Sequence, residues 1–138
     1  MGKVIALLAV ICLAGCHTTG QPTTVATPHM RSFEFLGCSG DFKGKFVGPE
    51  VWRVTTDGQV TFLTHHVDNC GLSGRNPTVT ARGGSLDLSY EMHGATDAVV
   101  MCDCEYWAKF TFGAEALGAQ SVTVGGQPAE PRGDWPGR

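Results

Sequence analysis

The stretch PTVTARGGSLDLSYEM, residues 77–92, decides the fold class. Gly83-Gly84 stands between two runs that alternate apolar and polar side chains, the pattern of a hairpin closed by a two-residue turn. With that loop Arg82 faces Ser85, Ala81 faces Leu86 and Val79 faces Leu88. Val79, Ala81, Leu86, Leu88 and Tyr90 then share one face. Thr78, Thr80, Arg82, Ser85, Asp87 and Ser89 share the other. A strand pair with one apolar and one wet side is half of a layered β structure.

The same signals recur outward along the chain. In VWRVTTDGQVTFLTH, residues 51–65, Asp57-Gly58 marks a second hairpin, with Val, Trp and Phe on both faces, so it is expected to be covered on both sides. In MCDCEYWAKFTF, residues 101–112, Cys102, Cys104, Tyr106, Ala108, Phe110 and Phe112 point one way, and Met101, Asp103, Glu105, Trp107, Lys109 and Thr111 the other. A strand that long is expected to bend or bulge. Short strands are expected at 32–36, 45–47 and 121–124, and one helical turn at 114–117. Seven or eight strands and 19 glycines predict an all-β fold, a small antiparallel β-sandwich or barrel-like domain.

The chain has 138 residues and a formal net charge of -3, with 17% charged residues. Such a length supports one domain with a modest core. A mildly acidic chain without a basic stripe has no footprint for nucleic acid. Its glycines occur singly or as turn pairs, without the helix that a phosphate-cradling loop requires. No serine stands in a G-x-S-x-G elbow, and Asp41, Glu50, Asp87 and Glu91 are scattered. The domain is therefore read as non-catalytic.

The N-terminus, MGKVIALLAVICLAGCHTT, gives the address. Lys3, an apolar run over residues 4–14 and small residues before Cys16 have the layout of a secretory signal peptide. The run falls short of the roughly 20 apolar residues of a membrane span. Leu13-Ala14-Gly15-Cys16 resembles the lipobox of bacterial lipoprotein precursors. That resemblance implies cleavage before Cys16, acylation of Cys16 (palmitate and related chains), and attachment to the bilayer of the cell envelope. His17 is not the aspartate of an inner-membrane retention signal, so the resemblance implies the outer membrane, facing the periplasm, in a diderm cell. Two or three acyl chains, at about 0.8 kcal/mol per buried CH₂, hold a protein stably where one does not.

Four segments follow from this layout. Residues 1–15 are the expected signal peptide, and 16–31 a lipidated N-terminus and Thr/Pro-rich tether. Residues 32–125 are the sandwich, and 126–138, dense in Gly and Pro, a disordered tail. A role as a binding or structural module at the envelope is expected, with an envelope protein as a possible partner.

Cys38, Cys70, Cys102 and Cys104 remain in the domain. In an exported chain of this size four cysteines read first as two disulfides. Cys102 and Cys104, two apart on one strand, have parallel Cβ vectors that disfavour a bond between them. The pairings left open are 38–102 with 70–104, or 38–104 with 70–102. An alternative is a metal-binding protein, with Zn or Cu held by Cys70, Cys102 and Cys104 together with His65 or Cys38. The C-x₂-C knuckle usual for zinc is missing, and an oxidising compartment works against free thiols. A redox-active C-x-C pair is disfavoured by Asp103 and Glu105, whose charges raise a thiol pKa. Buried free thiols are the remaining reading. His65 and His66 point to opposite faces; the bland reading makes one a surface residue, with Asp68 or Asn69 capping backbone amides in a turn over 68–71. The order histidine, cysteine, then C-x-C-x-Tyr over residues 60–112 also resembles small exported β-rich lipoproteins of unassigned function.

Overall fold

The computed structural model describes residues 27–94, 101–129 and 131–132, the last two as backbone alone. The strands are β1 (Met30–Asp41), β2 (Glu50–Thr56), β3 (Gln59–Asn69), β4 (Leu72–Arg82), β5 (Ser85–Gly94), β6 (Asp103–Gly113), β7 (Ser121–Val124), β8 (Gln127–Ala129) and β9 (Pro131–Arg132). A 3₁₀ turn, Ala114–Gly118, joins β6 to β7. One sheet has the order β1-β6-β3-β2-β9 and the other β4-β5-β7-β8. The two sheets stay separate, so the fold is a sandwich and not a barrel.

Both expected hairpins form in the expected register. Asp57 and Gly58 take φ of 49° and 72°, and Thr56 lies opposite Gln59. Gly83 and Gly84 take φ of 57° and 84°, with Arg82 opposite Ser85, Ala81 opposite Leu86 and Val79 opposite Leu88. Leu86 and Leu88 are buried, with Val79, Ala81 and Tyr90 packed against the core. From the other sheet Phe62, Ala108, Phe110 and Phe112 fill the same interior. Each fully buried Leu or Phe among them contributes about 1.5–3 kcal/mol by leaving water.

The bend expected in β6 lies instead in its neighbour. Against β3, β6 runs in unbroken register from Gln59 opposite Gly113 to Asn69 opposite Asp103. Against β1 the register slips three times, between Met30 and Ser32, Phe35 and Gly37, and Cys38 and Asp41, each time with one extra residue in β1. Bulges suit an edge strand, where twist does not disturb a second partner. The central strand stays regular because it is paired on both sides.

A further bulge reshapes β4. Between Arg75 and Thr78 the strand carries one extra residue against β5, and Asn76 takes φ of 52°. The inward parity therefore switches, from Leu72 and Gly74 before the bulge to Pro77, Val79 and Ala81 after it. Gly74 is pressed against the interior: a Cβ there would lie 2.5 Å from the Phe35 ring and 2.9 Å from that of Tyr90.

Three expectations change at the margins. Residues 45–47 form no strand; between Gly44 and Gly48 they connect β1 to β2, and Val47 is 93% exposed. Two flanking glycines raise the entropy cost of an extended conformation there. The folded unit extends past 32–125 at both ends, since β1 begins at Met30, and β8 and β9 lie in the segment expected to be a disordered tail. Gly125 and Gly126, with φ of 57° and 77°, make a third tight turn that sets Val124 opposite Gln127. Pro128 fits in β8 because that strand is the sheet's edge. Finally, two pairings are parallel, β5 with β7 and β2 with β9. The expected signal peptide and most of the tether lie outside the described residues.

Candidate functional site

The four domain cysteines form two disulfides, Cys38–Cys104 and Cys70–Cys102, with Cα separations of 5.8 Å and 5.6 Å. The sheet order explains the connectivity. β6 lies between β1 and β3, so Cys104 reaches Cys38 on one side, and Cys102 reaches Cys70, just past β3, on the other. Cys102 and Cys104 are thus separate anchors. Asp41 lies close to Cys70 and Cys102, a carboxylate and two sulfurs within 4.8 Å of one another. Because those sulfurs bond each other, neither is a thiolate, and the Zn or Cu set of Cys70, Cys102, Cys104, His65 and Cys38 does not assemble. Its thiolate donors are consumed.

His65 and His66 project to opposite faces of β3, as adjacent strand residues must. His65 is on the outer face, yet it is buried rather than a surface residue. Its ring stacks on Trp107 at 4.5 Å, Trp52 lies 6.5 Å away, and its Nδ1 is 3.5 Å from the Glu50 carboxylate. Leu63, opposite Trp52 on β2 and Lys109 on β6, is buried on the same face. The two-sided cover expected of the first hairpin is therefore present.

His66 points inward, toward the second sheet. Its Nδ1 lies 3.0 Å from the Tyr90 hydroxyl, and its ring stacks on Tyr106 with centroids 5.7 Å apart. Burial pushes the His66 pKa below its ordinary value; the Asp68 charge opposes this and His65 adds to it. Burial pushes the Tyr90 phenol upward, against a hydrogen bond with Thr64 and with help from Asp68. Near neutral pH both groups are therefore uncharged.

The corner that follows His66 is fastened twice. Tyr106 Oη donates to the Asn69 carbonyl at 2.8 Å and accepts from the Leu72 amide at 2.9 Å. Between those residues Cys70 and Gly71 make the turn, Gly71 with φ of 79°. The Cys70 amide donates to the Cys102 carbonyl at 3.0 Å, beside the disulfide. Asp68 Oδ1 accepts the Asn69 amide at 2.7 Å, the capping role expected of it. One buried tyrosine and one disulfide thus fix where His66 and Asp68 stand.

These residues border a cleft of about 270 Å³ between the sheets. His66, Val67 and Asp68 form one side, and Ser89, Tyr90 and Met92 of β5 another. Phe46 and Pro49 come from the β1–β2 connection, and Val124, Gly125 and Gln127 from the β7–β8 hairpin. Asp87 holds that hairpin in place, accepting from the Thr123 hydroxyl and from the Gly126 amide. Apolar walls with a few convergent polar groups are the usual make-up of a small-molecule site. The period-2 pattern puts Tyr90 on the buried face, but no sequence signal joins it to His66 and Asp68. The usable clue was a run of polar side chains, His66 and Asp68, continuing the inward stripe of Val60, Phe62 and Thr64.

No protein-family model matches the chain, and no match is found among curated proteins or solved structures.

Proposed function

We propose that this chain is a bacterial envelope lipoprotein, anchored through acylated Cys16, whose sandwich serves as a non-catalytic binding module. The observation that carries the reading is the pairing of all four domain cysteines in two disulfides, which suits an oxidising compartment outside the cytoplasm. The signal-like residues 1–15 and the Leu13-Ala14-Gly15-Cys16 lipobox point the same way. The bilayer is the partner through the lipid, at the outer membrane facing the periplasm in a diderm cell, and an envelope protein is a second candidate partner. The inter-sheet cleft is the module's binding site, and its neutral His66–Tyr90 pair supplies hydrogen bonds rather than a charged nucleophile.

Expression in a bacterium with labelled palmitate tests the anchor. The protein is expected in the membrane fraction with label, and Cys16→Ala is expected to lose both. Retention of both by the variant would overturn the lipoprotein reading.

A further inference from the structure

The cleft's charge and lining narrow what it takes. Among the described residues that border it, Asp68 is the one acidic side chain, and neither Lys nor Arg is present. Its Oδ1 holds the Asn69 amide, and the carboxylate's charge remains to attract a cation. Two aromatic residues, Phe46 and Tyr90, and Met92 border the same space. Aromatic faces beside a carboxylate are the chemistry that recognises an organic cation. His66 stays neutral through burial, so it does not cancel the Asp68 charge.

We propose that this cleft binds a small organic cation, a primary or N-methylated amine on an apolar body, with the amine toward Asp68 and the body against Phe46, Met92 and Val124. The volume, at the small end of ligand pockets, fits a free small molecule rather than a folded partner. An anionic ligand would meet the Asp68 charge, which no Lys or Arg among the described lining residues offsets. This assignment rests on the reading of the domain as a binding module, but not on the lipid anchor.

The test uses the full-length protein in nonionic detergent and NMR titration of the His66 ring and Tyr90 resonances. The probes are 2-phenylethylamine, its neutral counterpart 2-phenylethanol, and the anion 3-phenylpropionate. The amine is expected to shift both residues and to bind at least about tenfold tighter than the alcohol, the scale of one charge-assisted contact. Asp68→Asn, which keeps the acceptor for the Asn69 amide, is expected to remove that preference. Met92→Lys, at a half-buried wall position, is expected to abolish amine binding and admit 3-phenylpropionate. Equal binding of amine and alcohol, no shift at His66 and Tyr90, or an unchanged preference in Asp68→Asn would each overturn the proposal. So would binding of a lysine-containing peptide where the free amine fails, since the ligand would then be a polypeptide. Membrane fractionation of Asp68→Asn is expected to match the parent, so failure of the anchor and failure of the ligand assignment are read separately.

Discussion

Gly74, His66 and Tyr90 are packed within a few ångströms of one interior region, and each answers to a different physical constraint. Gly74 is a contact position: added volume would enter the rings of Phe35 and Tyr90, and those rings are themselves held, Phe35 by stacking on Tyr106 and Tyr90 by a tilted contact with Phe33. Gly74→Ala is therefore expected to destabilise the domain by about 1–3 kcal/mol in urea unfolding, the usual cost of overpacking. His66 titrates below its ordinary value of 6.5 in the folded protein because burial disfavours its charged form, with Asp68 opposing and His65 adding. The unfolded chain then takes up the proton first as pH falls. Stability from this group is complete above 6.5 and is lost as pH drops through the lowered folded value. Thermal unfolding should show the melting temperature falling across that window, with a shallower fall in His66→Gln. Tyr90 has the opposite sign. Its raised pKa keeps it protonated above its ordinary value of 10.0, so its contribution is present below 10.0 and lost as pH climbs. Phenolate absorbance followed with unfolding should show the Tyr90 ionisation arriving late and together with loss of structure.

At the scale of elements, the corner between β3 and β4 is the part that shapes the site. It turns the chain from one sheet to the other within two residues, and the Tyr106 hydroxyl satisfies a carbonyl on one side and an amide on the other. Tyr106→Phe leaves the Leu72 amide without that acceptor, and a loss of about 1–3 kcal/mol is expected in denaturant unfolding. Removing the Cys70–Cys102 bond as Cys70→Ser with Cys102→Ser should cost about 2–4 kcal/mol by the same measurement. If the corner positions the cleft, that variant should also broaden the His66 resonances. The hairpins at Asp57-Gly58 and Gly83-Gly84 were legible from sequence because turn chemistry and period agree there over many residues. Gly125-Gly126 carries the same turn signal, yet the flanking strands are short and Pro128 and Pro131 stand beside it, so composition read as disorder. The β4 bulge was hidden for another reason. An inserted residue flips the parity, and residues 72–76 then show no continuous alternation with 77–82.

For the whole molecule, the sheet order turns one strand motif into two cross-links. The C-x-C spacing, with Cys104 on β6 and Cys102 just before it, disfavours a bond between its own cysteines but leaves the partners open, because only the placement of β1 and β3 on either side of β6 distinguishes them. The site was less legible than the fold. His66, Asp68 and Tyr90 are separated in sequence by a corner and a hairpin, and the apolar walls come from connections with no period to read. Disulfide mapping of the unreduced protein, expressed from its full sequence in a bacterium, tests the account most directly. Linked peptides joining Cys38 to Cys104 and Cys70 to Cys102 are predicted, with no free thiol at any of the four. Links joining Cys38 to Cys102 and Cys70 to Cys104, or four free thiols with bound zinc or copper, would contradict it.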